Sequence, residues 1–159
     1  MSTMFEAALV GLRQGGDEAR NCLLFVSEAL KKAWAPESET IFEELERSGV
    51  SAEQAAALRE ALASYYSRAE SEFARGECLS ILAQSGDRGL RDDLLRELHL
   101  HFEIHRAVSG GLYQLLLALQ DIGERPFAPN ISSTSIDHVQ QNVEAAEEFL
   151  ALHGYRTPL

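Results

Sequence analysis

The sequence predicts an all-α protein, a helical bundle of about six helices. Proline occurs only at positions 36, 126, 129 and 158, so no proline interrupts a helix between residues 37 and 125. That stretch is rich in Ala, Leu, Glu and Arg, which favour helix, and poor in β-branched residues. Apolar residues recur at helical spacing along most of the chain. We therefore expect one α-helical bundle domain spanning residues 1–159.

The first two helices are separated by a glycine pair. Residues 3–13 form the first predicted helix, and Gly15 and Gly16 end it. Asp17 is expected to cap the second helix. That helix is predicted to end at Ala35, because the residue before a proline avoids the α conformation. Its inward stripe should contain Ala19, Cys22, Leu23, Val26, Leu30 and Ala33.

The middle of the chain predicts a short acidic helix and then a long one. The short helix covers residues 38–47, and Gly49 is expected just after its end. Ser51 and Gln54 form a capping box, which predicts a helix start there. Leu58, Leu62, Tyr65, Ala69 and Phe73 then recur at helical spacing, so we predict a long helix that continues through Cys78 to Leu82.

The last third predicts a turn and two more helices. A turn at residues 85–89 leads into a long helix over residues 90–122, which Gly123 ends. Gly110 and Gly111 lie inside this helix, where they would permit a bend or close packing against Trp34. Residues 126–129 form an extended linker, and the last helix covers residues 135–152. Two long helices joined by a short turn predict a long antiparallel hairpin at the centre of the bundle.

Charge and cysteine usage restrict the functional class. The formal net charge is −11, which argues against a nucleic-acid partner because such affinity depends on Lys and Arg. There is no run of about 18 apolar residues and no secretory leader, so we expect a soluble cytoplasmic protein without a membrane partner. Cys22 and Cys78 lie far apart among apolar neighbours, which favours buried thiols and excludes a CxxC metal site.

A cluster of histidines, LHLHFEIH at residues 98–105, lies within the predicted helix over residues 90–122. His101 and His105 occupy positions where the heptad pattern calls for core residues, while His99 falls off this stripe and is expected to be solvated. Glu97 lies one turn before His101. The full stripe is Leu94, Leu98, His101, His105, Val108, Leu112, Leu115, Leu119 and Ile122.

A buried imidazole needs partners for its two nitrogens. The preceding helix offers several side chains that could face it: Tyr65, Tyr66, Glu70, Glu72 and Glu77. One interpretation is that His101 and His105 are hydrogen-bonded core residues that fix the register of the bundle. The alternative is a site for a divalent transition metal, with His101, His105 and Glu97 as ligands.

Short motifs around these histidines resemble three families. His101-Phe-Glu-Ile-His105-Arg106, followed later by Asp-Ile-Gly123, resembles the last helix of the DinB/YfiT metal-binding bundles, which implies metal ligation by both histidines. The segment from Glu103 to Leu112 is similar to the phosphoacceptor helix of histidine kinases, which implies phosphotransfer at His105. Arg96 and His101 together resemble the signature of HEPN ribonucleases.

No catalytic motif supports an enzyme. The sequence contains no P-loop, no dinucleotide-binding glycine pattern, no nucleophile elbow and no HExxH zinc motif. We therefore assign no catalytic or cofactor-binding residue. The favoured function is protein–protein interaction or regulation through helical surfaces, with a partner protein or as a homodimer. The alternatives are a metal- or cofactor-binding bundle centred on His101 and His105, and a histidine phosphotransfer protein using His105.

Overall fold

The computed structural model describes residues 3–105, 110–127 and 139–155, and in these ranges it contains helices and no strands. The predicted all-α class is confirmed. The described part has eight α-helices where the sequence predicted about six, and a short 3-10 helix, Arg88–Leu90, precedes the sixth. The helices are α1 (Thr3–Gln14), α2 (Gly16–Trp34), α3 (Glu43–Ser48), α4 (Ala52–Arg68), α5 (Glu72–Ala83), α6 (Arg91–His105), α7 (Gly110–Asp121) and α8 (Val139–Leu152).

Helices α1 and α2 join through the predicted glycine pair. Gly15 and Gly16 have φ values of 76° and 57°, which a residue with a side chain rarely adopts. Gly15 is the N-cap of α2, so Asp17 lies in the first turn and is not the cap. The chain reverses and the two helices pack closely where Gly11 faces α2: a Cβ at Gly11 would lie 2.9 Å from the carbonyl oxygen of Glu18.

The predicted long helix over residues 51–82 is two helices. The capping box is present: the Ser51 hydroxyl accepts from the Gln54 N–H, and the Gln54 side chain accepts from the Ser51 N–H. Helix α4 ends at Arg68, and Ala69 takes an extended backbone conformation. Ser71 then caps α5 by accepting a hydrogen bond from the N–H of Ala74 at 3.3 Å.

The predicted helix over residues 90–122 is also two helices. Nη1 of Arg91 lies 3.7 Å from Oε1 of Glu124. In one continuous helix these residues would be about 50 Å apart, at 1.5 Å per residue. Helices α6 and α7 therefore run antiparallel, and Gly110 and Gly111 lie at the start of α7. The predicted hairpin of two long helices is not confirmed, because each of its arms is divided.

The buried residues form two clusters that share α5. The first contains residues of α1 to α4, with Ala74, Cys78, Ile81 and Leu82 from α5. The second contains residues of α6, α7 and α8, with Leu79 and Ala83 from α5. The predicted apolar stripe is confirmed at every position that the structure describes. Its buried members are Leu94, Leu98, His101, Leu112, Leu115, Leu119 and Ile122, while the side chain of His105 and residue Val108 lie outside the described residues.

The last helix packs as predicted over the residues that can be described. Ala146 and Leu150 are fully buried on α8, and Val143 is half-buried. The predicted start at residue 135 and the inward Ile136 lie outside the described residues. Among the helices of the described ranges, none has the length and apolar character needed to cross a bilayer.

Candidate functional site

A buried polar network lies between α5 and α6. Within the described residues, three polar or charged side chains are buried: Glu97, His101 and Asn142. Two of them, Glu97 and His101, are residues that the sequence singled out. His101 is 2% exposed, which confirms that its ring faces the protein interior.

The His101 ring is held by a carboxylate from α5. Its Nδ1 lies 3.2 Å from Oε1 of Glu72, one of the predicted candidates on the preceding helix. Because a carboxylate accepts, Nδ1–H is the donor of this hydrogen bond. Glu72 itself lies in the first turn of α5 and its side chain is 20% exposed. The contact therefore fixes the orientation and the tautomer of a buried imidazole.

Glu97 is held by an arginine that the sequence did not single out. Nε of Arg75 donates to Oε1 of Glu97 at 2.7 Å. The same guanidinium donates through Nη1 to the carbonyl oxygens of Ala69 and Glu70, at 3.2 and 2.9 Å. Arg75 thus joins the α4–α5 connection to α6. Oε2 of Glu97 is buried and makes no hydrogen bond to any described residue.

The two contacts act as antiparallel rungs between α5 and α6. Glu72 and Arg75 are one turn apart on α5, and they meet His101 and Glu97, which are one turn apart on α6. A shift of one turn would place the Arg75 cation against the His101 ring and leave Glu97 without its partner. The two contacts therefore favour the observed alignment of α5 and α6.

The metal interpretation was based on His101, His105 and Glu97. Glu97 and His101 lie on one face of α6, but each has its own partner, and that of Glu97 is the Arg75 cation. The side chain of His105 lies outside the described residues. Among the side chains that can be described, no three His, Cys, Asp or Glu residues are grouped closely enough to hold a metal ion.

The remaining sequence candidates do not come together. Arg96 is 60% exposed at its side chain and pairs with Asp93, whereas His101 is buried. Two residues five positions apart on an α-helix are rotated by about 140° from each other. The two side chains of the HEPN-like pair therefore lie on different faces of α6, one exposed and the other buried. His99 is half-buried rather than solvated: its ring centroid lies 5.2 Å from that of Tyr155, and its Nε2 lies 3.0 Å from Oε1 of Glu103.

A second feature, which the sequence did not reveal, is an apolar groove between α1 and α2. Its volume is 540 Å³, and its walls are mostly apolar. Three of its lining residues are large apolar side chains with substantial exposure: Met4 at 36%, Val10 at 48% and Leu24 at 57%. Phe42 also lines the groove, and its neighbour Ile41 is 75% exposed. We call this surface the α1–α2 groove.

The α1–α2 groove contains little that could perform chemistry. Glu18 is the one charged residue among the described residues that line it. The Cys22 thiol donates to the carbonyl oxygen of Ala19 at 3.1 Å. Burial raises the pKa of that thiol, and the backbone contact lowers it to a smaller extent, so the thiol stays protonated and poorly nucleophilic. The groove is therefore suited to binding an apolar surface.

Comparisons with known proteins give no family assignment. No protein-family model, no curated protein and no solved structure matches the chain.

Proposed function

We propose that this protein acts without catalysis, by binding an amphipathic helix of a partner protein in the α1–α2 groove. The observation that carries the proposal is the exposure of Met4, Val10 and Leu24 along one groove. Exposed apolar side chains that line one groove together, rather than standing singly on the surface, are typical of sites that bind a partner protein. An amphipathic helix, which places apolar side chains one turn apart, is a common occupant of such grooves.

Charge favours a basic partner. Glu18 lies in the wall of the groove, Glu6 is exposed on α1, and the chain carries a net charge of −11. A helix with Lys or Arg beside its apolar face would be attracted to this surface and oriented by it. A second copy of the chain would instead bring two strongly acidic molecules together. Charge complementarity therefore selects a basic partner helix over a homodimer.

The test is a titration with two synthetic peptides that share one apolar face. One peptide carries lysines on its flanks and the other carries glutamates at the same positions. We expect the basic peptide to bind with a micromolar Kd, measured by fluorescence anisotropy, and the acidic peptide to bind at least about tenfold more weakly. Equal binding of both peptides, or saturation by neither, would contradict the proposal.

Matched variants locate the binding surface. Leu24→Asp places a charge in the apolar groove, and we expect it to raise the Kd of the basic peptide by at least about tenfold. Leu152→Asp makes the same change at a position on α8 that is 84% exposed, outside the groove, and should leave the Kd unchanged. If Leu24→Asp binds as the unmodified chain does, the α1–α2 groove is not the binding surface. Dimerisation that Leu24→Asp abolishes would replace the basic partner with a second copy.

A metal site at His101 and Glu97 is a second candidate, favoured by one observation. Oε2 of Glu97 is buried, has no hydrogen-bond partner among the described residues, and belongs to a residue one turn from His101. Zinc titration in competition with a chromophoric chelator tests it. We expect Glu97→Gln to lower the affinity for zinc at least about tenfold, whereas the control His99→Gln should leave that affinity unchanged. Equal zinc affinity in the unmodified chain and in Glu97→Gln would contradict this candidate.

A further inference from the structure

The α1–α2 groove has two ends, and the contacts between its two helices give their order. Beside the α1–α2 connection, a Cβ at Gly11 would lie 2.9 Å from the carbonyl oxygen of Glu18. Further from the connection, the ring centroids of Phe5 and Phe25 lie 5.2 Å apart. Helices α1 and α2 therefore run antiparallel, and the groove extends from their connection to the opposite end of the pair.

The end beside the connection is polar. Gln14 and Glu18 line the groove there, with Asn21 one turn further along α2. Glu18 is exposed and forms no ion pair with a Lys or Arg in the part of the chain that the structure describes. Its Oε2 lies 4.0 Å from the position that a Cβ of Gly16 would occupy, which places the carboxylate beside the connection. A negative charge without a cation of its own therefore lies at one end of the groove.

The opposite end is aromatic. Phe25 and Phe42 line it together with Met4, and the two ring centroids lie 5.3 Å apart in an edge-to-face arrangement. The last turn of α2 carries Lys31, and Glu43 follows Phe42 at the start of α3, but neither of these charged residues lines the groove. This end therefore offers a partner mainly apolar contact.

The groove is about three helical turns long. The residues that line it on α1 extend from Met4 to Gln14, which is about 15 Å at 1.5 Å per residue. A partner helix of about 11 residues would cover this distance, with apolar side chains three or four residues apart along its contact face. One end of such a helix would lie against Glu18 while its other end lay against the aromatic rings.

We propose that the α1–α2 groove binds its partner helix in one orientation, with the basic end of that helix against Glu18 and a large apolar side chain at its other end against Phe25 and Phe42. Opposite charges attract at the first end, and burial of apolar surface stabilises the second. A helix bound in the reverse orientation would lose both contacts. The inference rests on the proposed function and specifies the partner further: a helix of about three turns whose basic residues are concentrated at one end.

The experiment uses an amphipathic peptide of about three turns, with lysines at one end and a phenylalanine at the other. A nitroxide label is attached to the lysine end in one sample and to the phenylalanine end in a second. Broadening of the protein amides in ¹⁵N spectra then locates each label. We expect the lysine-end label to broaden Gly16 and Glu18 most strongly, and the phenylalanine-end label to broaden Ile41 and Phe42. A peptide with the same residues in reverse order is the control, and its broadening should again follow the lysines.

Glu18→Gln separates the local contact from the overall acidity of the chain. We expect it to raise the Kd of the lysine peptide about threefold, as for an exposed ion pair, and to leave unchanged the Kd of a peptide with glutamines in place of the lysines. Glu53→Gln removes the same charge from an exposed position on α4 that does not line the groove, and it should change neither Kd. Equal effects of the two substitutions on the lysine peptide would overturn the inference.

The outcomes distinguish this inference from the proposed function. If the peptides bind saturably but each label broadens both ends of the groove equally, the inference is overturned and the proposed function stands. The same holds if the lysine-end label broadens Phe42 more strongly than Gly16. If no peptide reaches saturation, the proposed function is contradicted, and the inference fails with it.

Discussion

The two clusters of buried residues differ in how they are held together. The first, formed by α1 to α4 with part of α5, is built from apolar side chains and Tyr65. In the second, buried polar side chains on α6 and α8 accompany the apolar ones: Glu97, His101 and Asn142. Close packing holds the first cluster, whereas paired polar groups also join α5 to α6 beside the second.

We call the helices around the first cluster the first half of the molecule and those around the second cluster the second half. In the first half some apolar residues are not buried: Val10 and Leu24 lie exposed along the α1–α2 groove. In the second, the described polar atoms of His101 and Arg75 contact carboxylates across the α5–α6 interface. We therefore expect the first half to bind the partner, and the polar contacts of the second half to hold α5 and α6 in one alignment.

The largest expected effect comes from Arg75→Ala. This change leaves the buried Glu97 carboxylate without its cation, so it should lower the free energy of unfolding by about 3–5 kcal/mol. The control is Arg59→Ala, which breaks the exposed ion pair with Asp87 and should cost less than about 1 kcal/mol. Urea denaturation measures both. Equal, small losses for the two variants would show that the second half does not depend on its buried pair.

A matched pair of glycine substitutions compares packing in the two halves. A Cβ at Gly11 would lie 2.9 Å from the backbone oxygen of Glu18, so Gly11→Ala should force α1 and α2 apart and cost about 1–3 kcal/mol. A Cβ at Gly76 would meet the flexible side chain of Gln114 at 3.3 Å. Gly76→Ala should therefore cost less, because the Gln114 side chain can move aside and the Glu18 backbone cannot, while helix propensity favours alanine by about 1 kcal/mol at both positions. Thermal unfolding measures both variants, and a larger loss of Tm for Gly76→Ala than for Gly11→Ala would contradict this packing difference.

The smallest expected effect is the pH dependence due to Glu77 on α5. Burial raises the pKa of this carboxyl, and Arg20 opposes the shift in part. The charged form is therefore disfavoured in the folded state, and stability falls as the pH rises through the range between the unfolded and folded pKa values. Glu77→Gln should unfold at a higher temperature than the unmodified chain at pH 7 and at the same temperature below about pH 4. A lower Tm at pH 7 would contradict the sign.

The sequence predicts a helix end well where a residue within one turn determines it. Helix α2 ends at Trp34, two residues before Pro36, and Gly49, with φ of 65°, follows α3. Ser51 and Gln54 form the predicted capping box at α4. Each of these signals acts within a few residues, so it does not depend on tertiary contacts.

The two helix divisions could not be predicted in the same way. Between α4 and α5 there is no glycine or proline, and the carbonyl groups of Ala69 and Glu70 are satisfied by Arg75, which is oriented by Glu97 on another helix. Between α6 and α7 the apolar heptad continues in phase, so its pattern carries no sign of a reversal. Gly110 and Gly111 are the available signal, but glycines inside a helical pattern equally permit a bend or close packing.

The candidate site was predictable in part. Periodicity alone predicted a buried His101, and Glu72 was among the residues expected to face it. The role of Arg75 could not be predicted, because it depends on the angle between α5 and α6. The α1–α2 groove was missed because Met4, Val10 and Leu24 fall outside the inward stripes of their helices, where isolated apolar residues are ordinary.

The most direct test of the central claim is a methyl spectrum of the protein titrated with the lysine-flanked amphipathic peptide. If partner binding belongs to the first half, the methyl signals of Val10 and Leu24 will shift to saturation. Those of Leu98 and Leu116, buried in the second half, will stay in place. Saturable shifts confined to the second half, or none at Val10 and Leu24, would contradict the account.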